Sequence, residues 1–524
     1  MKFLVYSAVG ANNIAASMGM PEYSYYFVLK DFLPVLQSLG DVQFVTEPQV
    51  EVDALYDEAL AHGRECIFLS FSPPHKTFVA LRCPTVPVFA WEFSSIPNEH
   101  WLDDINQNWV HVLKQCRRAI THSTMVVQAV RNELGAQYPI LSTPSPVWDR
   151  FANLRKTQSN LPLNEPVKIK VVCGVVVDSF DPALKPYISG PESSALVVQA
   201  IREHQSATAR SSVSLNFDQV LVRKQSRLRV SKRYLGEWYI SVLQPLLPFL
   251  PGRRNRQANP PIDSVIDVVA SDPTKPLEPR NTVEPPHPAE SGLTPKMPVW
   301  AAQASEIELS GVVFTAMFNP YDGRKNWADM LTAFCAAFRD TPDATLVFKL
   351  GHSEYLSAMH DMLIWMARMP AYKCRVVLIH GYLEGDEFDN LVGASAFAVN
   401  ASHGEGQCLP LMEFMSSGKP AIAPRHSAMV DYMDEEVGFV VNSWLDGTAW
   451  SHDPRLAYRT LRHQIDWASL KDAYSAAYTC AKEQPEKYQQ LSRNAVKRMH
   501  EHCSQNAARE KLVDFFQLES KVSA

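Results

Sequence analysis

The densest set of residues able to do chemistry is Ser402-His403-Gly404-Glu405-Gly406-Gln407-Cys408-Leu409-Pro410-Leu411-Met412-Glu413-Phe414-Met415-Ser416-Ser417-Gly418-Lys419-Pro420. It follows the apolar run Ala396–Asn400. Gly404 and Gly406 permit a tight backbone. Pro410 suits the first turn of a helix, where its missing amide costs nothing. Gly418 and Pro420 stop that helix. The pattern is therefore a strand, a glycine-containing loop carrying Glu405, and a short helix holding Glu413 one turn beyond Leu409. A helix start offers unpaired amides and the positive end of its dipole, which suits an anion. A carboxylate inside the helix can accept hydrogen bonds from two adjacent hydroxyls. Paired glutamates on a helix are ordinarily a solvated face; the surrounding pattern gives this pair more weight. A basic loop, Asp322-Gly323-Arg324-Lys325-Asn326-Trp327, lies upstream. Lys325 in isolation would read as a surface lysine.

These residues need rigid elements to hold them. From about Gly311 to Val441, apolar runs alternate with helical patterns. Gly311–Met317, Ala344–Leu350, Arg375–Ile379, Ala396–Asn400 and Ala421–Ala423 read as strands, while Trp327, Met330, Leu331, Phe334 and Phe338 share one helical face. The first 150 residues alternate in the same way. Phe3–Val9, Val42–Val45, Cys66–Phe71, Val86–Trp91 and Arg118–Thr121 are strand candidates, with helices over Tyr25–Leu39 and Trp109–Cys116. One Lys before the short apolar run at the N-terminus reads as a first strand rather than a leader. Such alternation predicts parallel sheets covered by helices on both faces. The expected fold is α/β, with two Rossmann-like doubly wound domains facing a cleft and a long insert between them.

The order Glu405-Gly406-Gln407-Cys408-Leu409-Pro410, Glu413-Phe414-Met415, Gly418-Lys419-Pro420 resembles the E-x7-E region of retaining glycosyltransferases of family 4, which have the GT-B fold. Cys408 replaces the usual second glycine and Phe414 the usual alanine. The Arg324-Lys325-Asn326 loop is similar to the family's basic loop, although Met317 or Phe318 stands where an arginine is usual. The resemblance implies that Arg324, Lys325, Leu383, Gly406, Gln407, Cys408, Leu409 and Glu413 bind the donor. Lys325 and the amides of residues 406–409 would meet the diphosphate. Glu413 would meet the ribose, and the backbone of Gly381-Tyr382-Leu383 the base. It implies catalytic roles for Glu405 and for Glu92, which stands in Trp91-Glu92-Phe93 where many members have a histidine. Gly10 and Asn12, in the loop after the first strand, would approach acceptor or phosphate. Ala119-Ile120-Thr121-His122-Ser123 resembles the strand leading into a serine-capped helix. Lys349 and His352 are further candidates for the cleft, and His403 is a structural or a catalytic histidine.

The implied activity is transfer of a sugar from a nucleotide-diphosphate donor to a saccharide or lipid-linked saccharide, with retention at the anomeric carbon; a hexose is the expected sugar. The alternative is a non-catalytic nucleotide-sugar-binding or scaffold subunit of a polysaccharide-assembly complex. No D-x-D triplet occurs in the sequence, so no metal is expected, and the nucleotide sugar is a co-substrate rather than a cofactor. Cationic side chains and helix amides would then meet the charge of the leaving diphosphate.

The composition agrees with a folded enzyme. Of 524 residues, 46% are hydrophobic and 20% charged, which excludes wholesale disorder. A net charge of −6 advertises no nucleic-acid partner. Nine cysteines without a C-x-x-C pair give neither a disulfide framework nor a zinc ribbon, and suit a reducing compartment. No apolar run reaches the roughly 18–20 residues of a membrane span. The expected location is cytoplasmic, with a peripheral membrane contact. That contact would come from residues 219–256, which hold nine Lys or Arg against Glu237 alone, net +8. They also carry Leu235, Trp238, Tyr239 and Val242 in an amphipathic pattern suited to an anionic surface. A disordered basic loop, or a helix on the protein's own acidic surface, is the alternative. From Pro245 to Pro298, 13 of 54 residues are proline, which reads as linker. The expected division is an acceptor-side domain over 1–160, an inter-domain region over 161–218, the basic insert over 219–256, a Pro-rich linker over 257–300, a nucleotide-sugar-binding domain over 301–465, and C-terminal helices over 466–524.

Overall fold

A computed structural model describes residues 1–10, 18–19, 22–99, 104–157, 161–163, 165–188, 193–212, 302–383, 385–447 and 461–518. Residues 1–203 and 295–524 form one compact unit; residues 204–294 form another, of which 204–212 are described and helical. Asn12, the basic segment 219–256 and the whole Pro-rich stretch fall outside the described residues.

The first half is a parallel six-stranded sheet. Its strands are β1 (Lys2–Ser7), β2 (Asp41–Phe44), β3 (Cys66–Phe71), β4 (Thr85–Phe89), β5 (Ala119–Thr121) and β6 (Ile140–Ser142), in the order β2-β1-β3-β4-β5-β6. Helices α1 (Tyr23–Leu39), α2 (Pro48–Ala61), α3 (Trp109–Cys116) and α4 (Thr124–Leu134) connect them. Ser123 caps α4, accepting from the amide of Val126. The Cys66–Phe71 run is buried at every position, as a strand covered on both faces must be.

The second half is an eight-stranded sheet. A short helix, α5 (Leu154–Thr157), precedes β7 (Val167–Asp178), α6 (Lys185–Ile188) and α7 (Ser193–Ser212). There follow β8 (Gln303–Leu309), β9 (Val312–Phe318), α8 (Trp327–Ala337), β10 (Ala344–Leu350), α9 (Leu356–Arg368), β11 (Arg375–Gly381) and α10 (Asp386–Ala394). The half is completed by β12 (Phe397–Val399), α11 (Leu409–Ser416), β13 (Ala421–Pro424) and β14 (Gly438–Val441). Strand order is β14-β13-β12-β9-β10-β11-β7-β8, and all pairs are parallel except those made by β7. The fold is therefore two doubly wound sheets of the GT-B type, as the alternation of runs predicts. Residues 167–178, between the halves in sequence, extend the second sheet, and a register shift between Val171 and Gly174 breaks the alternation of their side chains. A hairpin of β15 (Ser443–Gly447) and β16 (Leu461–Ile465) stands apart from both sheets.

Three helices close the chain: α12 (Trp467–Glu483), α13 (Pro485–Cys503) and α14 (Gln505–Phe516). The last returns to the first half. Ala508, Leu512 and Phe516 join the core that contains Phe3, Val5 and Phe32, and the rings of Phe3 and Phe516 lie 6.0 Å apart.

In open α/β sheets ligands bind beyond the carboxyl ends of strands where the winding reverses. In the second sheet that place lies between β9 and β12, the strands that lead into the Arg324–Lys325 loop and the Glu405 loop. Because α14 is shared core of the first half, Leu512→Ala is expected to cost about 2–5 kcal/mol of stability, measured by urea unfolding. A loss well below 1 kcal/mol would show that the helix is dispensable.

Candidate functional site

The Glu405 loop is shaped by close approach of the first half. A Cβ on Gly406 would lie 2.9 Å from the Cβ of Ala90 and 3.2 Å from the amide nitrogen of Trp91, and one on Gly404 3.2 Å from the carbonyl oxygen of Glu92. Glycine is needed here because the residues just after β4 press against this backbone. Cys408 precedes α11 in the left-handed region, at φ 58°. Leu409 and Pro410 then open the helix, as expected.

Glu405 is buried and heavily bonded. Lys325 Nζ donates to its two carboxylate oxygens at 2.7 and 2.9 Å. Asn400 Nδ2 donates to Oε1 at 3.0 Å, and the Ser402 hydroxyl donates to the same oxygen. The Glu405 amide donates to Ser427 Oγ at 2.9 Å, and its carbonyl accepts from the amide of Ala428 at 3.1 Å. Burial works against ionisation, but Lys325 and Arg324 outweigh it and hold the Glu405 carboxyl below its ordinary range.

Arg324 faces the other way. Its guanidinium meets Glu92 Oε1 of the first half at 2.6 Å and Asp322 Oδ2 at 2.6 Å. Burial raises the Glu92 carboxyl, with Arg324 opposing it. Asp322 is also desolvated, yet Arg324 brings it down to about 2. Asp322 caps the short turn Gly323–Lys325 by accepting from the Arg324 amide, and so aims both basic residues. The structure thus assembles Glu92, Arg324, Lys325 and Glu405 from three loops into one charged cluster, beside Gly406 and Cys408.

Glu413 lies apart from that cluster. Its Oε1 accepts from Arg150 Nη1 at 2.8 Å. Burial pushes the Glu413 carboxyl up to about 7; Arg150 opposes, and the neighbouring Asp31 and Asp389 add to the rise. Gln407 Oε1 accepts from the Ser145 amide at 3.1 Å, and the Gln407 carbonyl accepts from the Tyr432 hydroxyl at 2.9 Å. Leu383 is buried in the same core as Cys408 and Phe414. Gly10 is exposed just beyond β1.

The remaining candidates take structural positions. The ring of His403 bonds the His463 carbonyl through Nδ1 at 2.8 Å, and its amide donates to the Arg324 carbonyl at 2.8 Å. Lys349 is buried, pushed down to about 8 by desolvation, and its Nζ donates to the Leu350 carbonyl at 3.1 Å. The His352 ring lies beside Gly19, where an added Cβ would come within 2.1 Å of Cδ2. Residues missed by sequence reasoning are Arg150, Asn400 and Ser427. Of these, Asn400 had a local signal, a polar residue closing an apolar run five positions before Glu405.

No protein-family model matches the chain, and no curated protein does. Among solved structures it is similar to a glycosyltransferase from Rickettsia africae ESF-5, at 10% identity over 100% of this chain and 99% of that one, with a TM-score of 0.47. It is also similar to Anabaena Alr3699/HepE in complex with UDP and glucose, at 10% identity over 99% of both chains, with a TM-score of 0.45. A third is the sucrose-phosphate synthase of Thermosynechococcus elongatus, at 10% identity over 98% of both chains, with a TM-score of 0.42. The assignment of two doubly wound halves rests on the strand order itself.

Two measurements check this geometry. Lys325→Met strands a buried carboxylate and is expected to cost about 3–5 kcal/mol, whereas Lys325→Met with Glu405→Gln should recover much of that loss; equal instability of the two variants would show that the pair is not coupled. Burial pushes the Glu413 carboxyl up to about 7 in the folded chain, from an ordinary value of 4.5. The native state therefore holds a proton that the unfolded state has released, and stability falls as pH rises from about 4.5 to 7. The loss is on the order of 3 kcal/mol. Glu413→Gln should flatten that part of the stability–pH curve, and an unchanged curve would refute the assignment.

Proposed function

We propose that the protein is a nucleotide-sugar-dependent glycosyltransferase that transfers a hexose, with retention of anomeric configuration, to a saccharide or lipid-linked saccharide. The observation that carries this reading is the buried Lys325–Glu405 pair, bonded at 2.7 Å beside the start of α11. A lysine and a carboxylate stand together where a helix start favours an anion.

In this reading the donor diphosphate takes over the charge of Lys325, aided by amides of residues 406–409. Glu405, released from the lysine, accepts from the donor sugar. Glu413 accepts from the ribose hydroxyls, and the backbone at Leu383 meets the base. Glu92, held by Arg324, faces the sugar or the acceptor from the first half, and Gly10 and Asn12 belong to the loop at the acceptor side. The groups that meet the leaving charge are already oriented, so little reorganisation is needed as it develops. Without a D-x-D triplet, the site acts without metal.

The location proposed is cytoplasmic, with residues 219–256 resting on an anionic membrane surface that presents a lipid-linked acceptor. No helix among the described residues is long and apolar enough to cross a membrane.

The test is a screen of nucleotide sugars for thermal stabilisation, followed by transfer assays with the best binder. Glu413→Ala should raise the donor KM roughly tenfold or more, as hydroxyl partners lose a buried acceptor. Glu405→Ala should lower kcat more than it lowers stability. Activity should persist in excess chelator. Wild-type activity in both folded variants would overturn the site, and complete loss in chelator restored by magnesium or manganese would overturn the metal-free diphosphate site. Donor binding without transfer or hydrolysis would identify a binding subunit instead.

A further inference from the structure

Arg150 bonds one carboxyl group directly and bears on two others. It donates to Glu413 of α11 at 2.8 Å, and its charge also favours the ionised forms of Asp31 on α1 and Asp389 on α10. Arg150 sits in the short turn Trp148–Phe151, in the segment that leads from the first half to the second. Besides bonding Glu413 Oε1 at 2.8 Å, its guanidinium carbon lies 5.2 Å from the ring centre of Phe151 and 5.0 Å from that of Phe388. Both aromatic faces restrict where the charge can sit.

The same segment is tied down on both sides. The Ser145 hydroxyl donates to Asp31 Oδ2 at 2.8 Å, and the Ser145 amide donates to Gln407 Oε1 at 3.1 Å. Arg155 Nη1 donates to the carbonyls of Trp148 and Ser416, each at 2.8 Å. Ser416 ends the helix that carries Glu413, so the segment grips that helix at its last turn as well as at Glu413.

We propose that Arg150 is a positioning residue of the donor site, orienting the Glu413 carboxylate through their direct bond and supplying the positive charge that keeps it ionised. The proposal deepens the reading of Glu413 as the ribose acceptor and rests on it. A protonated Glu413 turns one of its oxygens into a donor and accepts less well from two neighbouring hydroxyls. Burial, Asp31 and Asp389 all favour that protonated form; Arg150 opposes it. Tyr23 on α1 also faces Glu413; its hydroxyl is raised by burial and stays neutral across the range tested. Among the described residues, the charged groups that act most on Glu413 are therefore Arg150, Asp31 and Asp389. Lys30 assists Asp31.

The experiment compares wild-type protein, Glu413→Gln, Arg150→Met, Arg150→Lys and the Arg150→Met/Glu413→Gln double variant, each as the full chain. Thermal midpoints are measured between pH 5.5 and 9. The difference between wild-type protein and Glu413→Gln, and that between Arg150→Met and the double variant, marks the pH at which Glu413 ionises with and without the arginine, with no reference to activity. With Arg150 present the transition is expected near pH 7; with Met it should move up by about one unit or more, equivalent to a tenfold change in proton affinity. Affinity for the best-binding nucleoside diphosphate is then measured by calorimetry. Arg150→Met should bind at least about fivefold more weakly at pH 7, the fall in ionised fraction when the transition moves from pH 7 to 8 or above, and recover as pH rises, with Arg150→Lys intermediate. An unshifted Glu413 transition overturns the proposal whatever the protein binds, because a residue that merely ties the turn would lower all midpoints alike. A shifted transition with unchanged nucleotide affinity overturns the positioning role. A shifted transition with no nucleotide bound by any variant overturns the glycosyltransferase reading and upholds the charge-balancing role of Arg150.

Discussion

The charged cluster of Asp322, Arg324, Lys325, Glu92 and Glu405 is the constraint that the rest of the structure serves. Burying such groups costs several kcal/mol per ion, which only good geometry and further hydrogen bonds offset. Three of the five, Arg324, Glu405 and Asp322, are accordingly held more than once. Arg324 meets two carboxylates, Glu405 accepts from Lys325, Asn400 and Ser402, and Asp322 bonds both the amide and the side chain of Arg324. The cluster also joins the two halves, because Glu92 belongs to the first and the other four belong to the second. The glycine at 406 follows from the same contact, since a Cβ there would lie 2.9 Å from the Cβ of Ala90; Gly404 is nearly as tight, 3.2 Å from the Glu92 carbonyl oxygen.

A second cross-connection stands on the other flank. Thr124 at the start of α4 donates to Asp431 through its amide at 2.8 Å and also through its hydroxyl. Ser145 and Arg150 bind Gln407 and Glu413, and α14 returns to the core of the first half. The loop after β12 and the helix that follows it are thereby fixed by contacts from both sides. An anionic ligand entering there would compete with the Glu405 carboxylate already bound to Lys325. Asn400 and Ser402, which also donate to Glu405, would still hold it once the lysine had turned to the ligand.

Much of the scaffold is legible in sequence because most of the strands pair in parallel and are covered on both faces. Such strands are near-continuous apolar runs, and Cys66–Phe71 and Ala344–Leu350 fall within the same bounds in sequence and structure. Residues 167–178 were not read as a strand, since Lys168, Lys170 and the exposed Val172 interrupt the run and the shift at Gly174 changes which positions face inward. Helix α2 was also passed over: it buries only Pro48, Val52 and Ala59, too few positions to make a helical stripe. The candidate site was legible where its residues are sequence neighbours, as in 322–327 and 402–420. It was not legible where partners are far apart. Arg150 and Glu413 are separated by 263 positions, and no local pattern distinguishes Arg150 from a surface arginine.

Backbone strain is distributed unevenly, and the pattern bears on function. Five non-glycine residues among those described have positive φ: Arg117, Asn326, Cys408, Ser427 and Gln517. Arg117 and Gln517 end helices, where a left-handed residue is a common terminator. The other three surround Glu405. Asn326 follows Lys325, Cys408 stands three residues after Glu405, and Ser427 accepts the Glu405 amide. Such positions cost on the order of 1–3 kcal/mol each and persist only where the surroundings over-determine them. A glycine at 408 would relieve the strain, but it would lose a contact. The Cys408 sulfur accepts from Asn400 Nδ2 at 3.1 Å, and that same nitrogen donates to Glu405 at 3.0 Å. The cysteine therefore orients the amide that orients the carboxylate, a task that a residue without a side chain cannot perform.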